Sequence, residues 1–339
     1  MNRRKFIFNS LALSATGLFL SRFGYKADQV IMTVNGPIKP EQVGMALAHE
    51  HILVDFSGAD VYDPASWNQE EVVNALLPYL QELKQLGFNT FFEFTPAFLG
   101  RDPQILKQLS GKSGLNIVTN TGYYGAVDNK YLPSTAFDAT AEDLAQIWID
   151  EYLHGIQGTG IKPGFMKISV NPGPLSDLHK KLVRAAAMTH LETGLTIASH
   201  TGPAEPAFEQ IEVLKEQGVH PSAFIWVHAQ NEQDQQNYVE AASLGAWVSL
   251  DGIQQDNVQE YTQRLQWMKQ NGHLDKVLIS QDAGWYEPGK PWNGLIRKYS
   301  DISNYLIPKL TTMGFTSTEI RQLIEINPAQ AYAISIRKI

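Results

Sequence analysis

From Gly44 onward, short apolar runs alternate with longer amphipathic ones, and this alternation constrains the chain more than any other feature. Eight short runs read as strands: 45–54, 90–95, 116–121, 164–170, 195–199, 224–227, 246–250 and 276–280. Helical segments are read between them at 70–86, 141–156, 175–192, 206–217, 232–244 and 257–271. In the first of these, Val72, Val73, Leu76, Leu77, Leu80, Leu83 and Leu86 recur at roughly three-to-four spacing, which gathers them on one helix face. Gly87, Gly194, Gly218, Gly245 and Gly272 each stand just past a helix, where a left-handed cap residue is wanted. Repeated strand–helix units of this kind build a parallel sheet covered by helices. Eight of them predict an α/β fold, a closed (β/α)8 TIM barrel, with the doubly wound open sheet as runner-up. No Gly-x-Gly-x-x-Gly follows the first strand, which weakens the dinucleotide-binding alternative. Residues 30–38, with Asn35-Gly36-Pro37 as turn chemistry, predict a short N-terminal β-hairpin.

The 339 residues, 43% of them apolar, can bury a large core, and length alone suggests about two domains. No linker, low-complexity stretch or charge block divides the chain, so residues 27–339 read as one domain. Residues 1–26 read as an export signal. Arg3, Arg4 and Lys5 precede an apolar run from Phe6 to Leu20 that is interrupted by Asn9, Ser10, Ser14, Thr16 and Gly17. That run is short for a membrane span, so no span is expected in the mature protein. The adjacent arginines followed by Phe6 resemble a twin-arginine signal, which implies export to a bacterial periplasm; an ordinary secretory signal is the plainer alternative. No small-x-small site marks the processing point. With 27 Lys+Arg against 35 Asp+Glu the formal charge is −8, and no basic stripe appears, which speaks against a nucleic-acid partner. The absence of cysteine removes disulfides, thiolate zinc sites and Cys nucleophiles together.

In an α/β barrel, chemistry gathers at the carboxyl ends of the strands. The first strand carries His49-Glu50-His51, whose i, i+2 spacing sends both imidazoles to one face and Glu50 to the other. The fourth carries Lys167, the fifth ends at Ser199-His200-Thr201-Gly202, the sixth at Val227-His228-Ala229-Gln230, and the eighth at Ser280-Gln281-Asp282-Ala283-Gly284. A lone histidine at a strand end is more often a hydrogen-bonded structural group than a ligand, and a lone lysine there is usually salt-bridged. The coincidence of four His, one Lys and one Asp in one layer points instead to a metal site, because neutral imidazole and carboxylate suit zinc and similar divalent ions. His154, His179, His190, His220 and His273 lie in helices or before strands and read as non-catalytic. An ammonium at Lys167 would repel metals, but burial and neighbouring cations depress a lysine pKa and free the amine. Capture of carbon dioxide by that amine would yield a carbamate able to bridge two metals.

The chain resembles the phosphotriesterase family of the amidohydrolase superfamily. The resemblance rests on Gly36-Pro37-Ile38, His49-Glu50-His51, Gly100-Arg101-Asp102, Thr121-Gly122-Tyr123-Tyr124, the Gly-Phe-Met-Lys-Ile of 164–168, Ser199-His200-Thr201-Gly202, His228, Ser280-Gln281-Asp282 and Asn327-Pro328-Ala329, in family order. By it, His49, His51 and Asp282 would hold one metal and His200 and His228 the other, with Lys167 as N6-carboxylysine and a hydroxide bridging them. Two divalent ions, Zn2+ first, with Mn2+, Co2+ or Fe2+ as alternatives, are the implied cofactors. Three departures stand out: Ala229-Gln230-Asn231-Glu232 follows the sixth-strand His, Gln281 precedes Asp282 where many members have His, and Asp251-Gly252 stands near where lactonase-like members carry Asp-Arg. Glu93 ends a strand at the mouth and is expected behind the ligands rather than among them.

These residues imply metal-assisted hydrolysis with Asp282 as the catalytic proton acceptor. Tyr123, Tyr124, Trp285 and Tyr286 read as an aromatic rim, and with Gln230 and Asp251 they are assigned to the substrate side. A small molecule with a lactone or carboxylic ester bond is the first expectation. Phosphotriester, phosphoester or amide cleavage on the same site is the enzymatic alternative, and an exported metal-containing binding protein is the alternative outside catalysis. A homodimer is left open.

Overall fold

The computed structural model describes residues 29–290 and 296–339; the expected export signal and its processing point lie outside the described residues. An antiparallel hairpin, β1 (Ile31–Thr33) and β2 (Gly36–Ile38), stands where the turn chemistry predicts one. Nine further strands follow: β3 (Ala46–Glu50), β4 (Thr90–Glu93), β5 (Asn116–Val118), β6 (Asn120–Thr121), β7 (Phe165–Ser169), β8 (Ile197–His200), β9 (Phe224–Val227), β10 (Trp247–Leu250) and β11 (Val277–Ile279). Their pairings are all parallel, in the runs β3-β4-β5 and β6-β7-β8-β9-β10-β11. β5 and β6 are one barrel position interrupted at Thr119, so the nine segments make eight staves. The last stave meets the first through parallel hydrogen bonds: Asp282 N donates to His49 O at 3.2 Å and His51 N to Ala283 O at 2.9 Å. The architecture is the (β/α)8 barrel that the alternation predicts.

The connections are filled by α1 (Gln69–Gln85), α2 (Pro103–Ser113), α3 (Thr135–Asp138), α4 (Ala141–His154), α5 (Asp177–Thr193), α6 (Ala204–Glu216), α7 (Gln236–Ser243) and α8 (Val258–Gln270). After β11 come α9 (Ile307–Thr312), α10 (Ser317–Arg321) and α11 (Asn327–Tyr332). The five helix-ending glycines all adopt positive φ, from 76° at Gly194 to 102° at Gly245. α2 is an addition to the helices read from the sequence. Asp102 starts it by accepting from the N–H groups of Gln104 and Ile105, and Pro103 takes the first position. α7 begins at Gln236, later than the predicted 232, because the Glu232 carboxylate accepts the Asp234 N–H and the Asp234 carboxylate that of Gln236, turning the chain before the helix. Among the described residues no helix is long and apolar enough to cross a membrane.

Buried apolar side chains separate into two layers, as a barrel requires. Ala46, Ala48, Phe92, Phe94, Val118, Phe165, Ala198, Ile225, Val227, Trp247 and Leu278 form an inner cluster together with Tyr332 of α11. Leu47, Phe91, Ile117, Met166, Ile168, Ile197, Trp226, Val248 and Ile279 face outward onto the helices. Tyr332 stacks on Phe92, with ring centroids 3.9 Å apart, and donates its hydroxyl to Ala48 O at 2.8 Å, so the C-terminal helix plugs one end of the ring. Replacing Phe92 with Ala should open a cavity beside that plug and cost about 3–5 kcal/mol, read as a lowered urea midpoint with an unchanged m-value.

Candidate active site

Period-two alternation delivers most of the polar side chains at the other end of the ring. On β7 the inward Phe165 is followed two residues later by Lys167. On β8 the inward Ala198 leads to His200, and beyond β11 the inward Leu278 leads by twos through Ser280 to Asp282. Two histidines need a break in the pattern. The pairing of β3 with β4 shifts register between Leu47 and Glu50, which turns His49, and with it His51, to the inner face that Ala48 already occupies. His228 follows the inward Val227 directly and enters the mouth only by taking a left-handed conformation, φ 59°. Asp282 (φ 52°), Trp285 (φ 72°) and Val127 (φ 55°) share that conformation, so backbone strain is concentrated in the lining of one cavity.

That cavity, about 120 Å³, is lined by His49, His51, Lys167, His200, His228 and Asp282 at its floor and by Phe56, Leu99, Tyr124, Val127, Tyr131 and Trp285 above. At the floor, Oδ1 of Asp282 lies 3.1 Å from His51 Nε2 and 3.5 Å from His49 Nε2. Oδ1 of Asp282 and Nε2 of His49 are buried without a hydrogen-bond partner. Ligand atoms of His49, His51 and Asp282 fall within 4.8 Å of one another, a donor set that fits a divalent cation. His200 and His228 stand edge to face with ring centroids 4.4 Å apart, and the His228 ring is 5.1 Å from His49.

Each imidazole has a fixed partner on its Nδ1. His51 Nδ1 meets the Thr95 hydroxyl at 2.8 Å, and His200 Nδ1 meets the Tyr124 hydroxyl at 3.1 Å. His49 Nδ1 and His228 Nδ1 both meet the Asp251 carboxylate, at 3.1 and 2.6 Å. Burial pushes His49 down to about 3 and His200 well below the usual histidine range, so both are neutral and can offer a lone pair. Burial also pulls His228 down, but the adjacent Asp251 charge outweighs it and the net shift is upward. Burial would raise Asp282, yet His49 and His51 hold it well below the usual carboxylate range. Lys167 is lowered to about 8 by burial, against the pull of Asp251 and Asp282, which leaves a useful fraction of free amine near neutrality.

The structure brings together at the cavity all six residues expected as metal ligands, together with Tyr124 and Trp285. Four others on the expected substrate side sit elsewhere. Tyr123 packs edge-on against Phe98 and Trp148 in the core. Tyr286 is buried, its backbone paired with Ile52 and Val54. Gln230 and Asp251 bind each other behind His228. Glu93 faces away from the inward Phe92 and Phe94 and accepts the N–H groups of Ile52 and Thr95. Glu50, expected to point away, does so without reaching solvent: its carboxylate accepts the Ser280 hydroxyl and the N–H groups of Gln281 and Ala283, and burial raises it to about 7. Phe56, Leu99, Val127 and Tyr131 were not singled out from the sequence. They stand on loops after the first three staves, at the mouth end, and that placement is the one signal that could have found them.

The phosphotriesterase family model matches residues 29–332. A phosphotriesterase homology protein of Escherichia coli is 27% identical over 296 residues, covering 86% of this chain and 99% of its own. An aryldialkylphosphatase of Saccharolobus solfataricus is 30% identical over 254 residues, 72% of this chain and 78% of its own. An N-acetyltaurine hydrolase of Xenopus tropicalis is 26% identical over 342 residues, 88% of this chain and 97% of its own.

Gly284 turns the chain back beside His51 with φ 101°, and a Cβ built there overlaps His51 O. Gly284→Ala should therefore displace the segment that carries Asp282 and lower stability by roughly 2 kcal/mol or more, seen as a reduced melting temperature. An unchanged melting temperature would contradict the described approach of the two segments.

Proposed function

Because the chain belongs to the phosphotriesterase family, a family of metal-dependent hydrolases, we propose that it hydrolyses an uncharged carboxylic ester, a lactone above all, at the barrel mouth. The observation that carries this reading is the convergence of the unpartnered His49 Nε2 and Asp282 Oδ1 with His51, Lys167, His200 and His228 on one apolar-rimmed cavity. In this reading His49, His51 and Asp282 hold one divalent cation and His200 and His228 a second, zinc being the first choice. Lys167, once its free amine had added carbon dioxide and lost a proton, would join the residues that hold the pair. The bound pair supplies an acidified water and an electrophile for the carbonyl oxygen.

The chain's own residues do the rest. Asp282, kept ionised by its histidines, accepts the proton that the attacking water gives up. Trp285 lies over the His51 ring at 4.0 Å and donates its indole N–H to Asp282 O at 2.7 Å, which fixes the wall of the reaction space. Phe56, Leu99, Val127 and Tyr131 give it a largely apolar upper wall. Among the described lining residues Lys167 is the one Lys or Arg, and it sits at the floor; the nearby Lys130 ammonium is engaged by Phe56 O and the Tyr131 ring, so a substrate with a formal negative charge finds no cation in the upper wall and faces Asp282. This favours neutral substrates. The likeness to an aryldialkylphosphatase supports phosphotriester cleavage as a side activity, since it needs the same electrophile and nucleophile. Residues 1–26 further suggest that the enzyme works after export, which fractionation of cells carrying Arg3→Lys with Arg4→Lys would check by retention in the cytoplasm.

Proton release by metal-loaded protein across lactones, simple esters, a carboxylate-bearing ester and one phosphotriester should show turnover of the neutral lactones and esters, weak triester cleavage and little reaction of the charged ester. Asp282→Asn should lower kcat by about 10²–10⁴-fold. Silence across the panel from protein carrying two metals would sink the assignment. Chelator treatment should abolish turnover, and added Zn2+ should restore it.

A further inference from the structure

We propose that Asp251 is a positioning residue shared by both cation positions, which makes their occupancies interdependent. This inference rests on the metal reading above and concerns a residue outside the cavity. Inward alternation on β10 runs from Trp247 through Ser249 to Asp251, which places the carboxylate beneath the histidines, fully buried. It accepts five hydrogen bonds. Oδ2 takes His49 Nδ1 at 3.1 Å, the His228 backbone N–H at 3.1 Å and the Ser249 hydroxyl at 2.8 Å. Oδ1 takes His228 Nδ1 at 2.6 Å and the Gln230 side-chain amide at 2.9 Å.

His49, His228 and Asp251 also satisfy the spacing of a three-ligand metal group. A cation there would have to displace a backbone N–H, a hydroxyl and an amide, all of them donors aimed at the carboxylate. The arrangement is therefore one acceptor gripping two imidazoles. With Nδ1–H of each donating to Asp251, the ligating lone pair of each is left on Nε2, toward the cavity. His49 belongs to one cation set and His228 to the other. Because a single carboxylate fixes the tautomer and tilt of both rings, a change at Asp251 must reach both positions. Thr95 supplies the contrast, since its hydroxyl steadies His51 alone.

The test is a titration of chelator-stripped protein with Co2+, reading stoichiometry by calorimetry and ligand geometry by the visible spectrum. Wild type should take two equivalents. Asp251→Asn removes the shared charge and sets an amide N–H against one ring, so both equivalents should weaken, by about 10–100-fold, with an altered spectrum. Thr95→Val should weaken one equivalent only. Should Asp251→Asn fail to fold, Ser249→Ala, which loosens Oδ2 but keeps the charge, should weaken both equivalents together by a few-fold. Two Co2+ bound by folded Asp251→Asn with wild-type affinity and spectrum would overturn the inference, as would the weakening of one equivalent alone. Wild type binding no Co2+ would instead bring down the metal reading and this one with it.

Discussion

A ring of parallel strands makes opposite demands on the two ends of each inward face. One end must be apolar to fill the barrel, and the other must carry whatever chemistry the mouth performs, so every strand has to change character within a few residues. The step is visible from Phe165 to Lys167, from Ala198 to His200 and from Trp247 to Asp251. Most polar groups of this layer are buried against a fixed partner: Thr95 behind His51, Tyr124 beside His200, Asp251 behind His49 and His228, and the Ser280–Ala283 segment around Glu50. Among the buried side-chain atoms of the described residues that lack a hydrogen-bond partner, His49 Nε2 and Asp282 Oδ1 are the two that belong to cavity-lining residues.

Legibility in the sequence followed periodicity. Strands and most helices could be read because the 2.0 and 3.6 periods survive in single segments, and the ligand-type residues could be read because they fall at strand ends. α2 escaped because its N-cap lies inside the Gly100-Arg101-Asp102 motif, which invites a functional reading. Tyr123 and Tyr286 were assigned to the rim from adjacency along the chain, but an adjacent residue on a strand or its extension points the other way, and both rings are in the core. Asp251 obeyed the same alternation that located Lys167. Its part was hidden because its hydrogen bond to His49 spans 202 residues, and its bond to the neighbouring strand needs His228 in a left-handed conformation that alternation does not predict.

The lining above the floor could not be read either. Phe56, Val127 and Tyr131 owe their places to loop packing: Lys130 donates to Phe56 O at 2.7 Å, and Ala59 N donates to Lys130 O at 3.0 Å, tying two loops together over the mouth. Such contacts depend on tertiary structure and leave no periodic trace.

The seam of the ring carries a consequence for how the molecule is made. Glu50 and Ser280, bonded across it, are separated by 230 residues, and Tyr332 reaches back to Ala48. Hydrogen bonds of that span form only after the chain is nearly complete, so a polypeptide emerging from the ribosome carries His49 and His51 for most of its synthesis without Asp282 opposite them. The cation position is thus assembled late, and a chain that stops short of its final helix lacks the Tyr332 plug even though it carries every residue of the floor. In such a topology metal retention reports on completion of the fold as well as on chemistry.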